Sequence, residues 1–146
     1  ERLQQYFDLS TAVAYAFSIP IALAAPWIVR VAYGTEFADA GPIVAVHIWS
    51  SVFVFLGVAR GLWLVNEGLH RFYLASTAAG AVANVLLNLV LIPHWAGLGA
   101  AYATVVSYAL AAWLASYFHR EVRATAAMQT RAVLIPFRAW RYLRRP

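Results

Sequence analysis

The stretch that decides the architecture is Ile92-Pro93-His94-Trp95-Ala96-Gly97. It lies inside Phe72–His119, a run of 48 residues without Asp, Glu, Lys or Arg. A single helix of that length would measure roughly 70 Å, more than twice the thickness of a bilayer's hydrocarbon core. The chain must therefore turn back. Proline denies a helix one donor and glycine permits a tight turn, so the break belongs at residues 93–97. The run is expected to form two membrane spans, Phe72–Ile92 and Gly97–Phe118.

Working outward, Leu9–Val29 and Ala40–Ala59 are also uncharged. With their flanks they give spans at about 9–33 and 42–65, each near the roughly 20 residues a bilayer requires. The connections at 34–41, 66–71 and 93–96 are too short to hold a folded domain. The expected fold is all-α and integral to the membrane. It has four transmembrane helices in two antiparallel hairpins over residues 9–118, a lead-in at 1–8, and a basic tail at 119–146. The composition agrees: 63% of residues are apolar and 12% charged, about half the charge of an ordinary soluble domain. The chain begins at Glu1 rather than Met and reads as a piece of a longer protein.

The net charge of +5 comes from arginine alone, because there is no lysine. An even number of spans puts both ends on one side. That side carries Arg2, Arg71, the seven arginines after residue 119 and, if it reaches the headgroups, Arg60; the other carries only Arg30. By the positive-inside rule both termini are cytoplasmic. Trp27, Tyr33, Trp63, Tyr73, Trp95, Trp113 and Tyr117 fall near span ends, where interfacial aromatics belong.

Small residues recur at helical spacing and mark faces where helices approach closely. Gly57 and Gly61 form a GxxxG pair. Gly80 belongs to a Ser76–Gly80–Asn84–Asn88 stripe, and Gly97, Ala101 and Thr104 belong to the fourth span. Asn84 and Asn88 need hydrogen-bond partners in hydrocarbon, either from packed helices or from a substrate. Pro20 and Pro26 should bend or locally unwind the first span. Arg60 either snorkels to cytoplasmic headgroups or faces an inner cavity and binds an anion. His47 is read as a packed or interfacial histidine, with proton coupling as the other option.

From Val133 onward, Val133, Phe137, Trp140 and Leu143 share one helical face, while Arg138, Arg141 and Arg145 share another. This pattern describes an interfacial amphipathic helix with arginines toward anionic lipids. No catalytic constellation is present: there is no HExxH, no GxSxG and no phosphate-binding glycine loop. The four histidines lie on different elements and form no metal set, and no cysteine is available. The chain is read as a non-enzyme without cofactor or metal, and a nucleic-acid role for the basic tail is set aside.

Three stretches together resemble the C-terminal part of the polysaccharide flippases. These are the O-antigen and exopolysaccharide exporters of the multidrug/oligosaccharidyl-lipid/polysaccharide superfamily. Tyr33-Gly34-Thr35-Glu36-Phe37 resembles that family's YGxxF-like outer loop. Residues Asn84 to Pro93 are similar to its NxxLNxxLIP helix end, and Gly99 to Ser107 to its GAAxATxxS helix start. One departure stands out: the family usually has an aromatic-glycine pair after the proline, and here Trp95 is followed by Ala96. The resemblance implies the last four helices of a twelve-span transporter in the bacterial inner membrane. Its partners would be an undecaprenyl-pyrophosphate-linked oligosaccharide, used for lipopolysaccharide or exopolysaccharide biosynthesis, and the remaining lobes of the transporter. Arg60, Asn84, Asn88 and His47 are its candidate cavity residues. The alternatives are a drug/cation antiporter or lipid II flippase of the same superfamily, or a scaffold subunit that transports nothing.

Overall fold

The computed structural model describes residues 2–136 and 138. In chain order they form α1 (Arg2–Tyr33), a 3-10 turn (Thr35–Phe37), α2 (Ala40–His47), α3 (Ser50–Asn66), α4 (His70–Ala112), a second 3-10 turn (Leu114–Phe118) and α5 (Arg123–Val133). No strand occurs among the described residues. Three helical stretches, Arg2–Tyr33, Ala40–Asn66 and His70–Phe118, are long and apolar enough to cross a membrane.

The first helix begins at Arg2, well before the uncharged run starts at Leu9. Charge marks where hydrocarbon ends, and a helix can continue past that boundary into the headgroups. The helix also runs unbroken through Pro20 and Pro26, so of the two expected effects, bending or local unwinding, the second does not occur. Both proline rings lie on exposed positions of α1. The Pro26 backbone does make a close crossing: a Cβ built on buried Gly41 would sit 2.9 Å from Pro26 Cα. Only glycine lets α2 start this near α1.

The second stretch is interrupted at Ile48 and Trp49, a break no proline or glycine announces. Tightened bonds from Trp49 N–H to the Val46 carbonyl and from Ser51 N–H to the Ile48 carbonyl carry the chain through it. Ser18 of α1 faces this point, with its Oγ 2.7 Å from Ser51 Oγ and 3.4 Å from the Ile48 carbonyl. Its hydroxyl engages backbone and side chain where the regular ladder is lost.

The third stretch breaks at Ala96, the only non-glycine residue of positive φ (φ 46°, ψ −127°) among those described. Residues on either side of the break lie against one another. A Cβ on Gly80 would come within 2.5 Å of Ala111 Cβ and 3.2 Å of the Ser107 carbonyl, and one on Gly99 would collide with the Leu91 carbonyl. Elsewhere Gly57 faces Ala112, Gly61 lies flat against the Tyr73 ring, and Gly97 meets Ile43. Ala101 is buried.

Residues 123–133, which the sequence places in the basic tail, form a helix packed on the rest. Its buried face is Thr125, Ala126, Gln129 and Ala132. Ala132 joins Phe7, Leu56 and Ala59 in a core cluster bordered by Leu3, Trp113, Met128 and Val133. Polar bonds fix the docking: Gln129 Nε2 donates to the Ala112 carbonyl at 2.9 Å, Tyr15 Oη to the Val133 carbonyl at 2.8 Å, and Gln4 Nε2 to the Met128 carbonyl at 3.1 Å. Asp8 and Arg138 make an ion pair at 3.6 Å. Phe137, Trp140, Arg141, Leu143 and Arg145 of the expected amphipathic helix lie outside the described residues.

Candidate functional site

Arg60 sits in the last part of α3 and is 2% exposed. Its guanidinium turns inward: Nη2 donates to Ser76 Oγ at 2.9 Å and Nη1 to Ser116 Oγ at 3.2 Å. Its Cζ lies 5.7 Å from the centre of the Phe72 ring, which packs on the His119 ring at 4.6 Å. Ser76 donates its own proton to the Tyr73 carbonyl at 3.0 Å, so its oxygen is oriented to accept from the arginine. Arg60 Nε and His119 Nδ1 are buried without a hydrogen-bond partner among the described residues. The single ion pair among those residues is Asp8–Arg138, so none of their carboxylates neutralises Arg60.

Magnitudes show how finely this arrangement is balanced. Removing a cation from water costs several kcal/mol even after relaxation. Two hydrogen bonds to a charged group return about 1.5–3 kcal/mol each, and a desolvated cation–π contact about 2 kcal/mol. The sum is close to break-even. By this balance the arginine gives little net stability, and no carboxylate of the described residues supplies an opposing charge.

A second feature lies along the contact between the two arms of α4. A half-open groove of about 330 Å³ is lined by Thr77, Gly80, Ala81, Asn84, Thr104, Ser107, Tyr108 and Ala111. Gly80 and Ala111 bring the arms close together. Asn88 Nδ2 donates to Asn84 Oδ1 at 3.0 Å. Asn88 Oδ1 is buried and has no partner among the described residues. Thr104 Oγ1 donates to the Ala100 carbonyl at 2.9 Å and lines the groove, in addition to lying on the packing face read from the sequence.

The Ser76–Gly80–Asn84–Asn88 stripe thus divides. Ser76 meets Arg60, Gly80 meets the other arm, and Asn84 opens into the groove. His47 is exposed at the end of α2. It neither bonds to Arg60 nor lines the groove. Sequence reasoning missed Ser116, Phe72 and Tyr108. A lone serine in a 3-10 turn and aromatics within an apolar run carry no periodic signal of their own.

Compared with protein-family models, with curated proteins and with solved structures, the chain matches none.

Proposed function

We propose that this chain is part of a flippase that moves an undecaprenyl-pyrophosphate-linked oligosaccharide across the bacterial cytoplasmic membrane. The observation that carries the reading is Arg60: a cation buried within an apolar helix, aimed inward, with no carboxylate partner among the described residues. Intramembrane charges of this kind are expensive and are kept where an ionic substrate passes. The motif resemblance at residues 33–37, 84–93 and 99–107 supplies the substrate class.

In this reading α4 supplies two spans, reversing at Ala96, and α1 and α2–α3 supply one each. The four spans form two antiparallel hairpins with both termini cytoplasmic. The contacts of Gly80 with Ala111 and of Gly99 with Leu91 favour that reversal, and the arginine bias favours the orientation. A pyrophosphate headgroup must cross hydrocarbon while its prenyl tail stays in lipid. A cationic, polar path between lobes lowers that barrier, and alternating access prevents a leak. A drug/cation antiporter fits less well, because the buried ionisable group is itself a cation.

The ties from Arg60 to Ser76 and Ser116 favour one competing reading, in which arginine only fastens helices of a non-transporting subunit. Replacing Arg60 by Gln in the whole protein tests both. The flippase reading expects glycan export to fall at least tenfold at unchanged protein abundance. Unchanged export at unchanged abundance removes the observation that carries the reading, and a loss that only tracks a fall in abundance favours the fastening role.

A further inference from the structure

The groove between the arms of α4 has a definite hydrogen-bonding character. Thr77 Oγ1 donates to the Tyr73 carbonyl at 2.9 Å, Thr104 Oγ1 to the Ala100 carbonyl at 2.9 Å, and Ser107 Oγ to the Ala103 carbonyl at 2.6 Å. Each hydroxyl has committed its proton to its own helix, so what it presents is an acceptor oxygen. Asn84 differs. Its Oδ1 accepts from Asn88, which leaves its amide NH₂ as a donor without a partner among the described residues. Among the described residues no charged side chain lines the groove, and Ala81, Ala111 and the Tyr108 ring supply apolar surface.

We propose that this groove binds a sugar: a neutral ring whose hydroxyls donate to Thr77, Thr104 and Ser107 and accept from the Asn84 amide. The volume of about 330 Å³ corresponds to roughly eleven waters at about 30 Å³ each. A hexose, whose bonded non-hydrogen atoms each occupy less space than a free water, fits with room left for part of its linkage. Other occupants match less well. An acyl chain leaves the Asn84 donor and three acceptors unanswered in hydrocarbon, where water does not substitute. A phosphate-bearing headgroup finds no cation among the lining residues. The apolar face of another helix answers neither the donor nor the acceptors. A sugar presents hydroxyls at its rim and C–H groups on its faces, matching both parts of the lining. The inference rests on the flippase reading for the lipid-linked source of the sugar, while the groove's chemistry can be tested apart from it.

The test uses native mass spectrometry of the whole protein released from micelles. These contain equal amounts of monoglucosyl-diacylglycerol, diacylglycerol and phosphatidylglycerol. The expected result is retention of the glucosyl lipid at least fivefold over each of the others. An Asn84→Leu/Thr104→Val double variant should bring that ratio near one, and Thr104→Val alone, an isosteric change, should lower it by at least half. Equal retention of the three lipids, a preference for phosphatidylglycerol, no retained lipid, or a glucosyl preference untouched in both variants each overturns the proposal. Glucosyl selectivity in a protein whose export ignores Arg60→Gln would leave the groove standing and remove the support that Arg60 gives the flippase reading. Loss of export in Arg60→Gln without glucosyl selectivity would do the reverse.

Discussion

Ala96 should be improved by glycine. Its φ of 46° with ψ of −127° falls in a region that L-residues reach only under strain, costing about 1–3 kcal/mol. Glycine relieves that strain and loses about 0.4–1 kcal/mol through the larger freedom of its unfolded chain. The difference favours Ala96→Gly by roughly 0.5–2 kcal/mol. Because Ala96 is exposed, deleting its methyl group opens no cavity, so the backbone effect is read without a packing term. At about 2–4 °C per kcal/mol for a chain near this size, the melting midpoint should rise by roughly 1–8 °C. The assay is a far-ultraviolet circular dichroism melt in detergent, with Ala96→Val as the opposing control. A β-branched residue at positive φ should lower the midpoint. If Ala96→Gly leaves it unchanged or lowers it, Ala96 does not carry the reversal and the account of α4 fails.

Three further expectations follow from contacts at other points. Gly99→Ala pushes a methyl group into the Leu91 backbone, which cannot rotate aside, and should cost about 1–3 kcal/mol in the same melt. Tyr15→Phe removes the bond to the Val133 carbonyl, worth about 0.5–1.5 kcal/mol. It should speed hydrogen exchange of the Arg123–Val133 amides while leaving those of α3 unchanged; equal acceleration in both helices would show that α5 is not separately latched. Arg60→Met keeps an unbranched apolar stem, shorter than the arginine, and deletes the buried charge, so stability should stay within about 2 kcal/mol of the parent. A loss of several kcal/mol would mean that Arg60 chiefly holds helices together.

Much of the helical layout could be read from charge and proline alone. The long uncharged run demanded a reversal near residues 93–97, and the φ of Ala96 puts it one residue before the glycine that looked suited to it. Other features had no signal. The break at Ile48–Trp49 lies among ordinary apolar residues and is supported by Ser18, 30 residues away from Ile48. The docking of α5 depends on amide and phenol groups finding backbone carbonyls on distant helices, which periodicity does not encode. Arg60 was legible as unusual, yet its direction was not, because Ser116 comes from a turn that no repeat distinguishes. Asn84 and Asn88 stood out as amides in hydrocarbon, and their mutual bond answers only part of that demand.

The Arg60 contacts also impose an order on biogenesis. Ser76 follows the arginine by 16 residues and Ser116 by 56. Helix α3 must therefore enter the bilayer before either hydroxyl can be offered, carrying a charge whose insertion costs about 2.5–3.5 kcal/mol at a span's centre. Until the later arm of α4 and its following turn arrive, the guanidinium has only headgroups, water or a transient neighbour. Assembly of this bundle is thus tied to completion of synthesis, because the buried guanidinium acquires its last partner only with the turn that follows α4.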